Sequence, residues 1–447
     1  MRLYKLQNQT QNFELKRRRA SKLKKFLVII LGALLVLSFA ASAFAIHAEI
    51  PAETQAVVAK STTQIELGGF LRTRGWYFKN RAAGNNPFST NSQAYYDQRA
   101  KILVDAKVTP NVEGLIELQA DWNWGTFNTK ADNPDIIQAW ILYKGTGLFG
   151  FNSGLKIGHM PLALGEQQFF QHTTNGDDAI VFFMDPTKAL HIGLLTIKLA
   201  NDGGANVFTT TGSATNNTDD LDAYVALMTY KIDDKNTIGA NYTYLNKSDM
   251  RLKLQNLGLH ANGNIAGLGY KGELDVQFGD ITNDVKARGW GLMLGLNYKV
   301  NPVNIRASFA YGSGDKDSTD KQEAFQTFLS DVEHYTIAYD YRIATTAGAT
   351  LTGISNTTYY NLGLDYSPTK DINLKLDGYL LRASRTPSGV SKSAGWELDA
   401  GLKYAVAKNL NYIVDLGYFK AGNFYEDTYG SREKGSTVVR QQLILSF

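Results

Sequence analysis

At 447 residues the chain is longer than one ordinary soluble core requires. It has no cysteine, which excludes a disulfide scaffold, a thiol nucleophile and any Cys-ligated metal or iron–sulfur site. Its formal charge of +4 is local in origin: nine of the 46 Lys/Arg but one of the 42 Asp/Glu fall in residues 1–45, leaving 37 basic against 41 acidic residues, so a nucleic-acid partner is excluded.

The N-terminal stretch KRRRASKLKKFLVIILGALLVLSFAASAFA places a basic segment before an apolar run from Phe26 to about Phe39, then small residues ending Ala43-Phe44-Ala45. This is the pattern of a cleavable signal peptide over 1–45 and the general secretory route. Residues 46–62 read as a polar periplasmic linker, and 63–447 as the folded part.

After residue 45 no apolar run is long enough for a transmembrane helix. Segments of about ten residues instead alternate apolar with polar or small side chains. In YYDQRAKILVDAK (95–107), Asp97, Arg99, Lys101, Asp105 and Lys107 share one face, and Tyr96, Ala100, Ile102, Val104 and Ala106 the other. ELDAGLKY (397–404) repeats the pattern. Strands are predicted near 64–79, 94–108, 113–125, 135–145, 154–160, 179–185, 189–200, 221–232, 237–247, 254–263, 269–280, 286–300, 303–313, 356–367, 372–384, 395–406, 409–421 and 437–447. Connectors alternate between short (TPNV, DPTK, DDKN, VNPV, SPTKD, AKN) and long (80–93, 126–133, 161–178, 201–219, 314–355, 385–394, 422–436). Weak period-two segments with short turns at one end and long loops at the other imply an all-β fold, a transmembrane antiparallel barrel of about 18 strands. Aromatics near strand ends, such as Trp76, Tyr77, Trp122 and Tyr418, suit the two membrane interfaces. A soluble sandwich or propeller would explain neither the leader nor the alternating loop lengths.

In a closed barrel the last strand pairs with the first. VVRQQLILSF would then turn Leu443, Leu445 and Phe447 to lipid and Arg440 and Gln442 to the lumen. A Phe at the end of such a strand is similar to the signal read by the bacterial barrel-assembly machinery.

Catalytic motifs are missing: the sequence has no HExxH, GxSxG, Walker A loop or helix-opening GxGxxG. The six His show no metal-ligand spacing, and GDKDSTDKQE lacks the glycine an EF-hand calcium loop needs at its turn. No enzyme, cofactor or metal is therefore expected. By alternation the lumen is lined by Arg72, Arg74, Asp97, Arg99, Lys101, Asp105, Glu117, Asp121, Lys156, Arg306, Glu397, Asp399 and Arg440, a mixture of signs able to filter solutes by charge. The third long connector, 161–178, is expected to fold inward and narrow the pore with Glu166, His172, Asp177 and Asp178.

Three stretches are familiar. DIIQAWILYKG followed by LKIGHMPLALGEQ resembles a strand–turn–strand of the alginate-export-type outer-membrane proteins. YGSGDKDSTDKQEAFQTFL resembles that family's long loop, and NLGLDYSPTKDINLKLDGYLLRAS its late hairpin. The resemblance implies an eighteen-stranded barrel. His159 and Ile137 stand where the family commonly has Arg, and the mixed lumen departs from the electropositive bore that carries a polyuronate. The expectation is an outer-membrane porin of a diderm (Gram-negative) bacterium passing small polar or charged solutes. The alternatives are an exporter of an anionic, alginate-like polysaccharide and a plugged barrel used for surface binding or adhesion. Expected partners are outer-membrane lipid and lipopolysaccharide, the barrel-assembly machinery and the solute.

Overall fold

A strand with one face in lipid and one in water must alternate, and it must have every backbone N–H and C=O paired by a neighbour. The structure, a computed structural model, meets both demands; it describes residues 63–80, 92–125, 134–148, 150–200, 220–247, 251–315, 320–329, 333–340, 353–430 and 435–447. The leader and linker assigned to 1–62 lie outside the described residues.

Eighteen strands of ten or more residues form the wall among the described residues: β1 (Gln64–Lys79), β2 (Ser92–Thr109), β3 (Val112–Asn123), β4 (Asp135–Leu148), β5 (Phe151–Ala163), β6 (Phe170–Asp185), β7 (Leu190–Ala200), β8 (Leu221–Lys231), β9 (Thr237–Lys247), β10 (Leu252–Ile265), β11 (Leu268–Asp280), β12 (Trp290–Val300), β13 (Val303–Gly312), β14 (Thr357–Tyr366), β15 (Ile372–Ala383), β16 (Ser393–Ala407), β17 (Leu410–Ala421) and β18 (Ser436–Ser446). Each pairs antiparallel with the next, as in Arg99↔Asp121 between β2 and β3 and Gly258↔Asp275 between β10 and β11. β18 returns to β1 from Phe70↔Ser446 to Lys79↔Thr437. The seam is completed by Gly69 N–H to Phe447 O (2.6 Å) and Phe447 N–H to Gly69 O (3.0 Å). The sheet is therefore a closed antiparallel barrel of eighteen strands, as the sequence pattern implies.

The outward row is apolar: Ile102, Ile141, Leu362 and Leu380 are each more than 60% exposed. Neighbours one residue along point inward and are covered, among them Arg72, Glu117, Asp377 and Glu397. Leu362 sits mid-strand in β14, opposite Ala307 and Gly378. Leu362→Arg would put a guanidinium against hydrocarbon. We expect it to destabilise the barrel by about 2–4 kcal/mol in denaturant titrations on liposomes.

Two expected boundaries are corrected. Residues 161–178 are not one connector, because β5 runs to Ala163 and β6 starts at Phe170, leaving only 164–169 between them. The extra length is an irregular hairpin: its register shifts between Met160 and Leu162, and Leu162 pairs with His172. Gly176, at φ +76°, lies beneath the His159 ring, where a Cβ would approach Nε2 to 2.8 Å. The strand expected over 286–300 is also interrupted. Lys286, still paired with Asp280 of β11, and Ala287 form a short strand that pairs in parallel with Lys321 and Gln322 of the long connector, and the wall strand begins at Trp290.

Candidate functional site

Alternation turns one side chain in two toward the bore, so strand register decides which charges meet there. On β1–β3 they meet as pairs between adjacent strands. Arg74 Nε donates to Asp97 Oδ1 (2.8 Å), Trp76 Nε1 donates to Asp97 Oδ2 (2.7 Å), and Arg72 lies 3.7 Å from the same carboxylate. Arg99 grips Asp121 with two bonds, of 2.7 and 2.8 Å. Lys101 Nζ reaches Glu117 Oε1 at 2.7 Å, and Lys107 reaches Glu66 on β1 at 2.8 Å, with Asp105 of its own strand 3.8 Å away. Lys156 sits over the Trp140 ring at 3.9 Å. Across β13–β15, Arg306 bridges Asp365 (2.9 Å) and Asp377 (2.8 Å). Arg440 on β18 joins Asp415 (2.8 Å) to Glu333 (2.5 Å), and its guanidinium lies 5.1 Å from the Trp76 ring, to which Arg74 stands at 5.0 Å.

Two segments then cross from one part of the wall to another. The first is the tip of the β5–β6 hairpin. Asn262 Nδ2 on β10 donates to Glu166 Oε1 (2.7 Å), and the Gln168 N–H points at Glu273 Oε2 on β11 (3.4 Å). Buried Leu164, Phe169 and Phe170 belong to the same apolar cluster as the inner faces of β7–β10 (Ile197, Leu221, Leu245, Leu254). His172 and Asp178 are not at this tip. They lie on β6 with Asp177, where His172 Nδ1 pairs with Asp177 (2.9 Å) and Asp178 with His159 Nδ1 (2.8 Å). Of the four residues expected to narrow the pore, Glu166 alone reaches across to another part of the wall.

The second segment belongs to the long connector between β13 and β14. Phe328 pairs in parallel with Phe170 and packs edge-on against Phe169 at 5.6 Å. Farther on, residues 333–340 lie against β15–β18. The Glu397 carboxylate accepts the N–H groups of Ile337 (3.0 Å), Ala338 (2.6 Å) and Tyr339 (2.8 Å), and Asp399 accepts a longer bond from Ile337 (3.3 Å). Tyr379 Oη donates to Tyr335 O (2.8 Å), while Tyr339 is fully buried beside Phe419. Burial pushes the Tyr339 phenol above its ordinary pKa, and so keeps it neutral. Beneath this segment is a cavity of about 250 Å³ lined by Glu333, Lys375, Asp377, Asp399, Asp415 and Arg440. A second, of about 700 Å³, opens by the short turns near Asp185, Lys188, His191 and Lys231.

Pattern reading does not assign roles to Glu333, Tyr335, Tyr339 or Phe328. The available signal is composition: a connector carrying Phe325, Phe328, Tyr335, Ile337 and Tyr339 is too apolar to stand in water. A wall lined by paired charges and crossed by two anchored segments is suited to sorting small polar solutes by size and charge.

The comparisons agree on architecture. OpdL of Pseudomonas aeruginosa is similar over 86% of this chain and 98% of its own, with a TM-score of 0.58 and 11% identity. OccK8 (OprE) of Pseudomonas aeruginosa covers the same shares with a TM-score of 0.57 and 13% identity. The Pseudomonas aeruginosa outer membrane protein OpdK gives 0.55 at 12% identity, over 86% of this chain and 98% of its own. At such identities these structures speak for the fold. No curated protein matches the chain. The alginate export profile matches residues 206–439, more than half of the chain, from the connector after β7 into β18. By that match, the chain belongs to the alginate export family.

Proposed function

We propose that the barrel is a passive channel for small polar or charged solutes in the outer membrane of a diderm bacterium. One observation carries the reading: a sealed wall, apolar outside and charged inside, is narrowed from within by the 164–169 tip and the 333–340 segment. In this reading the leader sends the chain through the general secretory route, the barrel-assembly machinery inserts it, and lipid and lipopolysaccharide surround it. Its work is transport and involves no bond-making chemistry. The exposed apolar row and the similarity to an outer membrane protein support that location.

The family's description favours a second reading, export of an anionic polysaccharide. The pairing of Arg72, Arg74 and Arg99 with Asp97 and Asp121 weighs against it, since those acids cancel much of the field a polyanion would follow. The same pairs would also suit a plugged adhesion barrel, which would pass no current. Planar-bilayer recording on refolded protein separates the three. We expect stable conductance steps with weak ion selectivity that shifts less than about threefold when the three arginines become glutamine. Strong anion preference that collapses in that variant would establish the polysaccharide reading. Silence from a correctly folded barrel would rule out a channel.

A further inference from the structure

The inner face of β9–β11 carries a block of polar side chains that the channel reading does not use. Register sets it out in three rows across the three strands: Thr243, Asn256 and Gln277; Asn241, Gly258 and Asp275; Gly239, His260 and Glu273. Asn241, Thr243, Asn256, Glu273, Asp275 and Gln277 are each at most 3% exposed. Gly258, at the centre, lets the side chains of Asn241 and Asp275 lean in over its backbone. A Cβ there would fall 2.6 Å from the Asn241 amide and 2.8 Å from Asp275 Oδ1.

Some hydrogen-bonding capacity in the block is used. Asn256 Nδ2 donates to Asp275 Oδ1 (2.8 Å), and Gln277 is held in both directions by the Gln326 backbone, at 2.8 Å each way. The rest is not. Asp275 Oδ2, Glu273 Oε1, Asn256 Oδ1, Thr243 Oγ1 and both amide atoms of Asn241 are buried without a hydrogen-bond partner. Among the described residues, no basic side chain pairs with either carboxylate, and His260, beside Glu273 in register, makes no hydrogen bond to it. Two buried carboxylates without a counter-charge are costly. A shared proton would cancel one charge and would leave the neutral oxygens unsatisfied. One divalent cation would cancel both and use the Asn241 amide oxygen too. Two carboxylates with an amide oxygen form a hard, all-oxygen donor set of the kind Ca²⁺ favours.

We propose that Asp275, Glu273 and Asn241 bind one hard divalent cation, of which Ca²⁺ is the probe, between the wall and the hairpin tip. The tip closes over the site: a Cβ on Gly165 would stand 2.6 Å from Glu273 Oε1, and Gln168 N–H points at the other oxygen of that carboxylate. The ion thus ties residues 164–169 to β11, whatever solute passes.

The test is equilibrium dialysis of ⁴⁵Ca²⁺ against refolded barrel that is free of lipopolysaccharide and stripped with EDTA, its fold checked by heat-modifiable gel mobility. One equivalent should bind per chain. Asp275→Asn should weaken binding by at least about tenfold, and Asn241→Leu, which keeps both charges and nearly the same shape, by about threefold or more. Asp320→Asn, in the long connector, should change nothing. Added Ca²⁺ should raise the melting temperature of the parent and leave that of Asp275→Asn where it was. Absence of saturable binding by the folded parent would overturn the site and leave the carboxylates sharing a proton. Equal affinity in the parent and both site variants would overturn it as well.

Discussion

Glu397→Ala should convert a quiet channel into a noisy one of higher mean conductance. Glu397 is 1% exposed and receives three successive backbone N–H groups from Ile337, Ala338 and Tyr339. Hydrogen bonds to a charged acceptor contribute about 1.5–3 kcal/mol each, and their sum is less than additive. Removing the carboxylate also removes the cost of burying it. The net loss of anchoring is then about 3 kcal/mol, a rise of about 100-fold in the population of detached segment. The segment keeps four other holds: Arg440 on Glu333, Tyr379 on the Tyr335 carbonyl, Asp399 on the Ile337 N–H, and Tyr339 beside Phe419. It should therefore flicker and not leave the bore. Glu397→Gln keeps an acceptor oxygen without the charge and should fall between parent and alanine. Single-channel traces of all three proteins provide the comparison. If noise and conductance were the same in every trace, Glu397 would not be what holds this segment in the bore.

How much of this was legible beforehand follows from which forces act locally. Strand positions and the closing pair were readable, because lipid on one side and water on the other impose period two directly on the sequence. That pattern placed residues 64–79 and 437–447 within a residue of the strands that form the seam. The start of β6 was not readable. TTNGDD is a polar run with a turn signal, and part of it pairs only irregularly, so neither alternation nor composition marks it as strand. Lumen partners were legible only halfway. Alternation turns Arg99 inward, but its meeting with Asp121 depends on the offset between β2 and β3, which no single strand encodes. The segment that crosses the bore was the least readable part. Glu397 and the backbone of 337–339 are about sixty positions apart, and a carboxylate accepting main-chain N–H groups leaves no trace in the sequence of the segment it holds. The polar block on β9–β11 is similar: its residues were readable as inward-facing, but their lack of partners is a property of three registers together.

Deleting residues 436–447 should abolish the folded barrel altogether. β18 pairs with β1 from Phe70↔Ser446 to Lys79↔Thr437, and with β17 from Leu410↔Leu445 to Phe419↔Ser436. Its loss would leave two strand edges facing hydrocarbon, where no water can satisfy the backbone groups. An unpaired backbone group there costs several kcal/mol, so even a handful exceed the roughly 5–15 kcal/mol by which folded proteins are stable. The β17 and β1 edges would have to pair with each other, in a narrower barrel whose bore must still hold the tip and segment that fill this one. The expected result is no heat-modifiable band in detergent or liposomes at any denaturant concentration. Phe447→Ala separates closure from delivery. The Phe447 ring is 56% exposed and lies over Gly69, while its backbone bonds to Gly69 N–H and C=O need no ring. The purified variant should refold with a stability loss of about 1 kcal/mol or less. If the ring serves the assembly machinery, the same variant should reach the membrane of living cells in much lower yield. Equal loss of refolding in both variants would mean that the ring is part of the closure and not a label for delivery.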